Sequence, residues 1–488
     1  MSGTQKKHLL RFAVFALYVA VVVFTLCHHE NWRDEAQAWL LARDLSVAGL
    51  IDQMAYEGHP CLWHLLLMPF AKLGFPYGTI NIISAGIVFA AAAWMLWKCP
   101  FPLILQIPAL FGSAFLYYMP VVARSYCLIP LFVLLCAALY QQRHQRPYAY
   151  GISIALLVQT HLYMLPMAGI LCIFWFFEAV FAFRKNRDRK CLGAQALGLS
   201  LPLISFLFFL VQISGCTESS AYAFAVSGFA QWFRLLLSSP LTLFLVNNLP
   251  LMYFFSLALI LPVFLALVGL LYTRSGEALK PVLAFVFEVA AMLAMGTLFE
   301  RITPQKSAII VFLVIWLLWT LWPMMTKRWL KGLLTAAYLA VCAAYILMNS
   351  AVKADWDHPY SNGKFCAEFI EENLPADAVF VQSNTPSAVS VMAYLNADSF
   401  YSMDSASLVS YAVWKEEKRQ ISDYASLCSW ISRAEPEASY IYYICVPEDH
   451  GELGDIVSYM NPENLLYASE HGAIQGSENF SIYRIPIA

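Results

Sequence analysis

Asp34, Glu35, Asp52, Glu57 and His59 fall within residues 28–60, HHENWRDEAQAWLLARDLSVAGLIDQMAYEGHP, between two apolar segments. Carboxylates and an imidazole at this density are the side chains that move protons. A carboxylate within hydrogen-bond reach of a hydroxyl or amine takes its proton as that group attacks an electrophilic carbon. The local pattern leaves a second account open. Asp34 and Glu35 also sit in the first turn of a helix that Asn31 would cap, where the helix dipole stabilises a carboxylate by about 0.3–1 kcal/mol. The apolar positions Ala36, Trp39, Leu40, Val47, Leu50, Ile51 and Met54 have the spacing of an amphipathic helix. It is expected to lie in the outer interface, Trp39 towards lipid, with Arg33, Asp34, Gln37 and Asp44 towards water and the neighbouring protein.

Further chemistry is scattered. Arg124 lies in YYMPVVARSYCLIP, between two apolar stretches. An ionisable residue at membrane depth costs about 2.5–3.5 kcal/mol on insertion scales, so a function is its default reading, with snorkelling to the headgroups as the alternative. Glu300, Arg301 and Lys306 cluster in LFERITPQKSAII, where Glu300 could pair with Arg301 and the cluster could serve as an interfacial anchor, and His161 in QTHLYMLP stands near a helix end. His28, His29, Glu57, His59 and His64 match no metal pattern such as HExxH, so no metal or other cofactor is expected.

The elements that must position these residues are membrane helices. Charged residues make up 13% of the chain, about half the proportion usual in soluble proteins. Segments of roughly 20 apolar residues predict about eleven spans, near 9–27, 79–97, 101–119, 122–140, 148–165, 166–183, 193–213, 249–272, 281–299, 307–325 and 330–348. Lysine and arginine collect in short cytoplasmic loops. Alternating the eleven spans puts sixteen basic residues on one side and seven on the other before residue 350. The N-terminus is then cytoplasmic, and 28–78 forms the first outer loop. Counting 60–75 as a span would reverse every later loop, so it is read as a juxtamembrane or re-entrant helix. The stretch 214–248 is a second outer loop, either a lid or a surface helix. Most of the twelve cysteines lie in or beside apolar segments; Cys366, Cys428 and Cys445 could pair.

After Ser350 polar residues alternate with short β-type runs. DAVFVQS, SFYSM, SYIYYICVP and NFSIYRI read as strands, and KFCAEFIEEN and SAVSVMAYL as helices. Residues 1–350 thus form an all-α membrane domain, and 351–488 a small extracytoplasmic α/β domain. The latter lacks GxGxxG and GxxxxGK[ST] and is expected to cover the site or dock an acceptor.

RDEAQAW (33–39) followed by EGHPCLWHLLL (57–67) resembles the first outer loop of GT-C glycosyltransferases, the family-39-like group of protein O-mannosyltransferases and aminoarabinose transferases. The resemblance implies a GT-C fold in a bacterial plasma membrane. It also implies a polyprenyl-phosphate sugar donor and transfer on the extracytoplasmic face, usually with inversion, to an acceptor it does not specify. It carries Asp34 over as the base with Glu35 beside it, and Glu57 and His59 as groups that orient the base or the acceptor. Arg124 and Tyr126 match an Arg-x-Tyr-like element, and Arg301 or Lys306 matches a basic residue that reaches the donor phosphate; His161 would line the cavity. Cys61 stands where those relatives have a second proline. Lipid is the expected surrounding, and nucleic acid is not an expected partner. The rival reading is a transporter or lipid flippase, whose signs are inverted repeats and broken helices in corresponding halves; no such pairing is visible.

Overall fold

The structure, a computed structural model, describes residues 2–214, 276–298, 303–383, 388–396, 400–414, 420–446 and 454–487. Glu300, Arg301, the 249–272 segment and the 214–248 loop beyond Ser214 lie outside the described residues. α1 (Gly3–Leu26) is followed by three short helices, α2 (Arg33–Asp44), α3 (Val47–Glu57) and α4 (Leu62–Lys72). Next come α5 (Thr79–Lys98), α6 (Leu103–Leu110), α7 (Leu128–Tyr140), α8 (Pro147–Val158), α9 (Leu165–Asn186) and α10 (Arg189–Gln212). Beyond these are α11 (Gly276–Leu298), α12 (Pro304–Leu321) and α13 (Arg328–Leu347). Among the described residues, seven helices, α1, α5 and α9 to α13, are long and apolar enough to cross a bilayer. At 11 residues, α4 is about 16 Å long, half the hydrocarbon thickness, and is not among the helices long enough to cross.

Three of the expected spans are shorter. The 101–119 segment is α6 plus a π-helical turn at Ala114–Tyr118; α7 has 13 residues and α8 has 12. The irregular backbone between the π turn and α7 is satisfied from neighbouring helices. Ser84 Oγ donates to the Met119 carbonyl and Asn81 Nδ2 to that of Val121, both from α5, while Glu35 accepts the Ala123 N–H. Non-helical backbone at this depth survives where protein groups replace the missing intrahelical partners. Hydropathy counts the apolar residues here but cannot see the interruption.

α12 is buried along its whole length, as a helix apolar all round must be. Thr303 caps it through the Lys306 N–H, with Pro304 at its first position. That cap places Lys306 at one end of the bundle. The opposite end gathers the basic clusters: Arg143, just past α7, forms a two-pronged pair with Glu178 at 2.7 Å, and Lys280 reaches the same carboxylate at 2.6 Å. Glu178 therefore pairs with cations at its helix end.

The tail begins with α14 (Ser350–Asp357) and α15 (Gly363–Asn373), and continues through α16 (Val389–Leu395) and α17 (Tyr424–Ala434). Its strands are β1 (Val379–Gln382), β2 (Phe400–Ser402), β3 (Ser407–Val409), β4 (Tyr440–Cys445), β5 (Leu465–Ala468) and β6 (Ser481–Pro486). They form one sheet in the order β3-β2-β1-β4-β6-β5, parallel at its centre and antiparallel at both edges. All four expected strands and both expected helices are present; β3, β5 and α17 are additional. Cys366, Cys428 and Cys445 are buried free thiols. Alternate residues of a strand face opposite sides, and here the sides differ. Ile441 and Tyr443 pack with Leu427 and Ile431 of α17, whereas Ile444 and Ile482 join the core that runs through the helical bundle.

That continuity corrects the expectation for α2. Trp39 is buried, because α2 lies between α4 and α16 and no lipid reaches its apolar face. The chain also breaks at Leu45–Ser46, where Ser46 caps α3 through the Gly49 N–H.

α8 and α10 pack at glycines. A Cβ on Gly151 would collide with the Gly198 carbonyl oxygen, and one on Gly198 would lie 2.8 Å from that of Pro147; small residues permit such close approach between membrane helices. Gly151→Val is expected to destabilise the chain by about 1–3 kcal/mol, the usual cost of overpacking. A lowered thermal midpoint in detergent checks this, and an unchanged midpoint would contradict the packing.

Candidate active site

Helix α2 starts at Trp32, not Asn31. Trp32 holds the extended N-cap conformation, and the Glu35 carboxylate accepts its N–H at 3.1 Å, the returning half of a capping box. Asn31 instead exchanges amide hydrogen bonds with Asn81 of α5. Asp34, one residue along, therefore projects away from Glu35. Asp34 faces a cavity of about 760 Å³, as do Glu57, His59, Arg124, Tyr126, His161 and Lys306. These residues are up to 272 positions apart, yet they meet at one end of the bundle. Arg301 lies outside the described residues.

Asp34 Oδ2 receives Arg124 Nη1 at 2.9 Å, and Oδ1 lies 3.5 Å from Arg33 Nε. Burial pushes the Asp34 carboxyl pKa up, but the Arg124 and Arg33 charges outweigh it and hold the group below its usual range. Glu57 behaves in the opposite way. Burial raises its pKa to about 7, although Gln37 and Gln53 both donate to it, at 2.7 and 3.2 Å. His59 stacks on His64 with centroids 5.2 Å apart. Burial and then the Arg124 charge lower its pKa to about 4, so the ring is neutral at pH 7.

The far wall is aromatic. Arg124 lies over Tyr126, Tyr126 stacks on His161 at 4.6 Å, and His161 stacks on Tyr163. Lys306 Nζ is 5.8 Å from the Tyr163 ring centre. His161 Nδ1 accepts the Tyr163 N–H and ends the irregular turn after α8. One departure from the resemblance has a structural use. The Cys61 N–H donates to Gln212 Oε1 at 2.7 Å, and Gln212 bonds in turn to Gln159. A proline at 61 would have no N–H to give.

Glu35 does not face the cavity. It is buried: Oε1 accepts the Ala123 N–H at 2.6 Å, and Oε2 accepts from Trp32 and lies 3.3 Å from His29 Nε2. His29 Nδ1 bonds to Asp355 Oδ2 of α14 at 2.8 Å. Burial lowers the His29 pKa, but Asp355 and then Glu35 outweigh it and raise it to about 10. The histidines near the loop are thus engaged separately: His28 with the Phe24 carbonyl, His29 with carboxylates, and His59 with His64.

Several lining residues had no part in the sequence reading: Trp32, Tyr117, Tyr118, Tyr360, Trp414 and Gln475. Tyr117 and Tyr118 belong to the same YYMPVVARSY stretch as Arg124, so nearness alone could have found them. Tyr360, Trp414 and Gln475 carry no local signal. Trp414 arrives because the Gln37 amide pairs with both backbone groups of Ala412, accepting its N–H at 2.8 Å and donating to its carbonyl, and Gln53 donates to the Val413 carbonyl. Tyr360 is held by its N–H to Glu30 Oε2 at 3.1 Å, and Gln475 by Tyr360.

No protein-family model matches the sequence, and no curated protein matches it either. The fold does have a solved counterpart. ArnT from Cupriavidus metallidurans bound to undecaprenyl phosphate superposes over 97% of this chain and 97% of its own, with a TM-score of 0.51 at 10% identity. The apo state of that protein aligns over 99% and 98% at 11% identity, with a TM-score of 0.48. The chain therefore shares the ArnT fold over nearly its whole length.

The His29 cluster makes a pH-dependent contribution. The folded imidazole holds its proton up to about pH 10 and a free one only to 6.5. The contribution is therefore full below pH 6.5 and fades as the pH rises towards 10. His29→Leu is expected to cost about 3–5 kcal/mol at neutral pH by leaving two buried carboxylates uncompensated, and to flatten the fall between pH 6.5 and 10. Thermal midpoints measured across that range in wild type and variant check both; equal slopes would contradict the assignment.

Proposed function

We propose that this chain is an integral-membrane glycosyltransferase that moves a sugar from a polyprenyl-phosphate carrier to an acceptor on the extracytoplasmic face. The observation that carries the reading is the Asp34–Arg124 pair in a cavity at one end of the bundle, opposite the basic clusters. The shared fold with ArnT, an aminoarabinose transferase of the GT-C kind, supports it, as does the capture of a polyprenyl phosphate by that protein. The transporter reading has no comparable support, since the Asp34–Arg124 pair lies where helices end and not at mid-span.

The donor phosphate lies against Arg124 and Lys306, at the N-terminus of α12, where the helix dipole and a lysine favour an anion. Arg124 is bound to Asp34 and weakens it as a base. A phosphate that engages Arg124 draws that charge away, and the basicity of Asp34 rises as the donor binds. Asp34 then takes the acceptor proton while the acceptor oxygen or nitrogen bonds to C1 of the sugar. The bond from C1 to the phosphate oxygen breaks, and its electron pair leaves with the prenyl phosphate. Attack from the face opposite the phosphate inverts the anomeric carbon. Cations aimed at the phosphate oxygen stabilise the charge that grows there.

Glu57, with its amide donors, and neutral His59 orient the acceptor or Asp34. Glu35 is a positioning residue: its carboxylate fixes the backbone on which Arg124 follows Ala123, and so sets the distance from Arg124 to Asp34.

Asp34→Asn keeps the shape and removes the base. Sugar transfer is expected to fall by at least about 10²-fold, the lower range for general-base catalysis, while undecaprenyl phosphate still binds the purified variant. Substantial remaining transfer would remove Asp34 from the base role.

A further inference from the structure

Four parts of the C-terminal region line the cavity: Ala351 and Ala354 of α14, Tyr360, Trp414 and the Ile474–Gln475 turn. The side chains they supply are uncharged. The cavity's cations Arg33, Arg124 and Lys306, and its carboxylates Asp34 and Glu57, all come from the helical half. The two halves therefore offer different chemistry, and Asp34 sits between them. Its Oδ2 faces Arg124, backed by Tyr126 and His161; its Oδ1 faces Arg33, which lies between two indoles, with Cζ 5.7 Å from the Trp32 ring centre and 5.5 Å from that of Trp414.

The wall on the Arg33 side is built of rings. Trp32 meets Tyr360 edge-on at 6.2 Å, and Tyr360 meets Tyr117 at 6.5 Å. Gln475 Nε2 donates to the Tyr360 hydroxyl at 2.7 Å, and backbone bonds from Ile474 and Gln475 to Pro359 and Tyr360 hold this turn in place. Trp32 Nε1 is buried without a hydrogen-bond partner, a donor that a bound hydroxyl would satisfy. Trp414 holds a left-handed backbone, φ +57°, a conformation a bulky residue adopts only where its surroundings impose it, and one that gathers at functional sites.

Deepening the glycosyltransferase reading, on which it rests, we infer that the acceptor is a carbohydrate, bound at a subsite formed by Trp414 and Tyr360 of the C-terminal region with Trp32 and Arg33 of the first loop. Pyranose rings present C–H faces that pack on aromatic rings and hydroxyl edges that need neutral donors and acceptors. Indoles, phenols and an amide provide both. Arg33, the cation on this side, lies between two indoles beside Asp34, so a phosphate would have to compete with that carboxylate for it. An amine would need a carboxylate on the C-terminal wall, and a peptide would need edge-strand or groove contacts to its backbone. The donor phosphate takes the Arg124–Lys306 side. A sugar hydroxyl on the Arg33 side then reaches Asp34 from the direction opposite to the leaving group.

The test uses the full chain in lipid nanodiscs, with two separate binding measurements. Saturation-transfer NMR is recorded with tetrasaccharides of glucose, mannose and N-acetylglucosamine, and with a Ser/Thr-rich peptide; undecaprenyl phosphate binding is measured in parallel. At least one saccharide is expected to bind wild type. Trp414→Ala is expected to weaken that binding about tenfold or more, Trp414→Tyr to restore most of it, and both variants to bind undecaprenyl phosphate as wild type does, which also reports their folding. A peptide signal without a saccharide signal, no saccharide signal at all, or saccharide binding indifferent to Trp414→Ala would each overturn the assignment. Failure of the donor reading is a different result: undecaprenyl phosphate that does not bind wild type, whatever the saccharides do.

Discussion

A single buried carboxylate, that of Glu35, joins the parts on which the site depends. It closes the first turn of α2 through Trp32, anchors the irregular backbone at Ala123, and faces the imidazolium of His29, which bonds to Asp355 at the start of the tail. Loop, bundle and C-terminal region are therefore tied at one point. Such a group is costly to bury unless each oxygen is engaged, and here each is. Because Asp34 and Ala123 adjoin the tie, Arg124 has little freedom to move away from Asp34. The pair that faces the cavity owes its geometry to a neighbour that does not.

The electrostatics of the cavity follow from that rigidity. Two carboxylates, twenty-three positions apart, are set to different protonation by their surroundings. Asp34 stays ionised because guanidinium charges oppose its burial, and Glu57 has its pKa raised to about 7 by burial, which its two amide donors offset only in part. His59 stays neutral beside Arg124. A site with one ionised carboxylate, one titrating carboxyl and a neutral imidazole separates proton acceptance from orientation, which three similar acids in water could not do.

The C-terminal sheet is not an appendage. One of its faces shares the bundle's core, and the other is covered by α17. Burial of α2 between α4 and α16 follows from this, as does the arrival of Tyr360, Trp414 and Gln475 at the cavity. Side-chain amides make the connection. Gln37 and Gln53 hold the 412–413 backbone much as a neighbouring strand would, and they also support Glu57.

The sequence by itself determined the membrane class, the main strands of the tail and the residues worth testing. Composition, apolar run length and strand period are local quantities that survive without tertiary contacts. Arg124, His161 and Lys306 were legible because an ionisable or polar group near a helix end stands out against apolar neighbours. Their convergence on Asp34 was not, since nothing in spacing relates positions that only helix packing brings together. Tertiary structure alone decided that Glu35 turns inward while Asp34 faces the cavity, because adjacent residues on a helix point about 100° apart and only their partners say which side is core. It also decided that Trp39 is covered by protein and that the spans at 101–119, 122–140 and 148–165 are cut short. Hydropathy records that a side chain avoids water, and lipid, a neighbouring helix and the face of a sheet all satisfy that requirement equally.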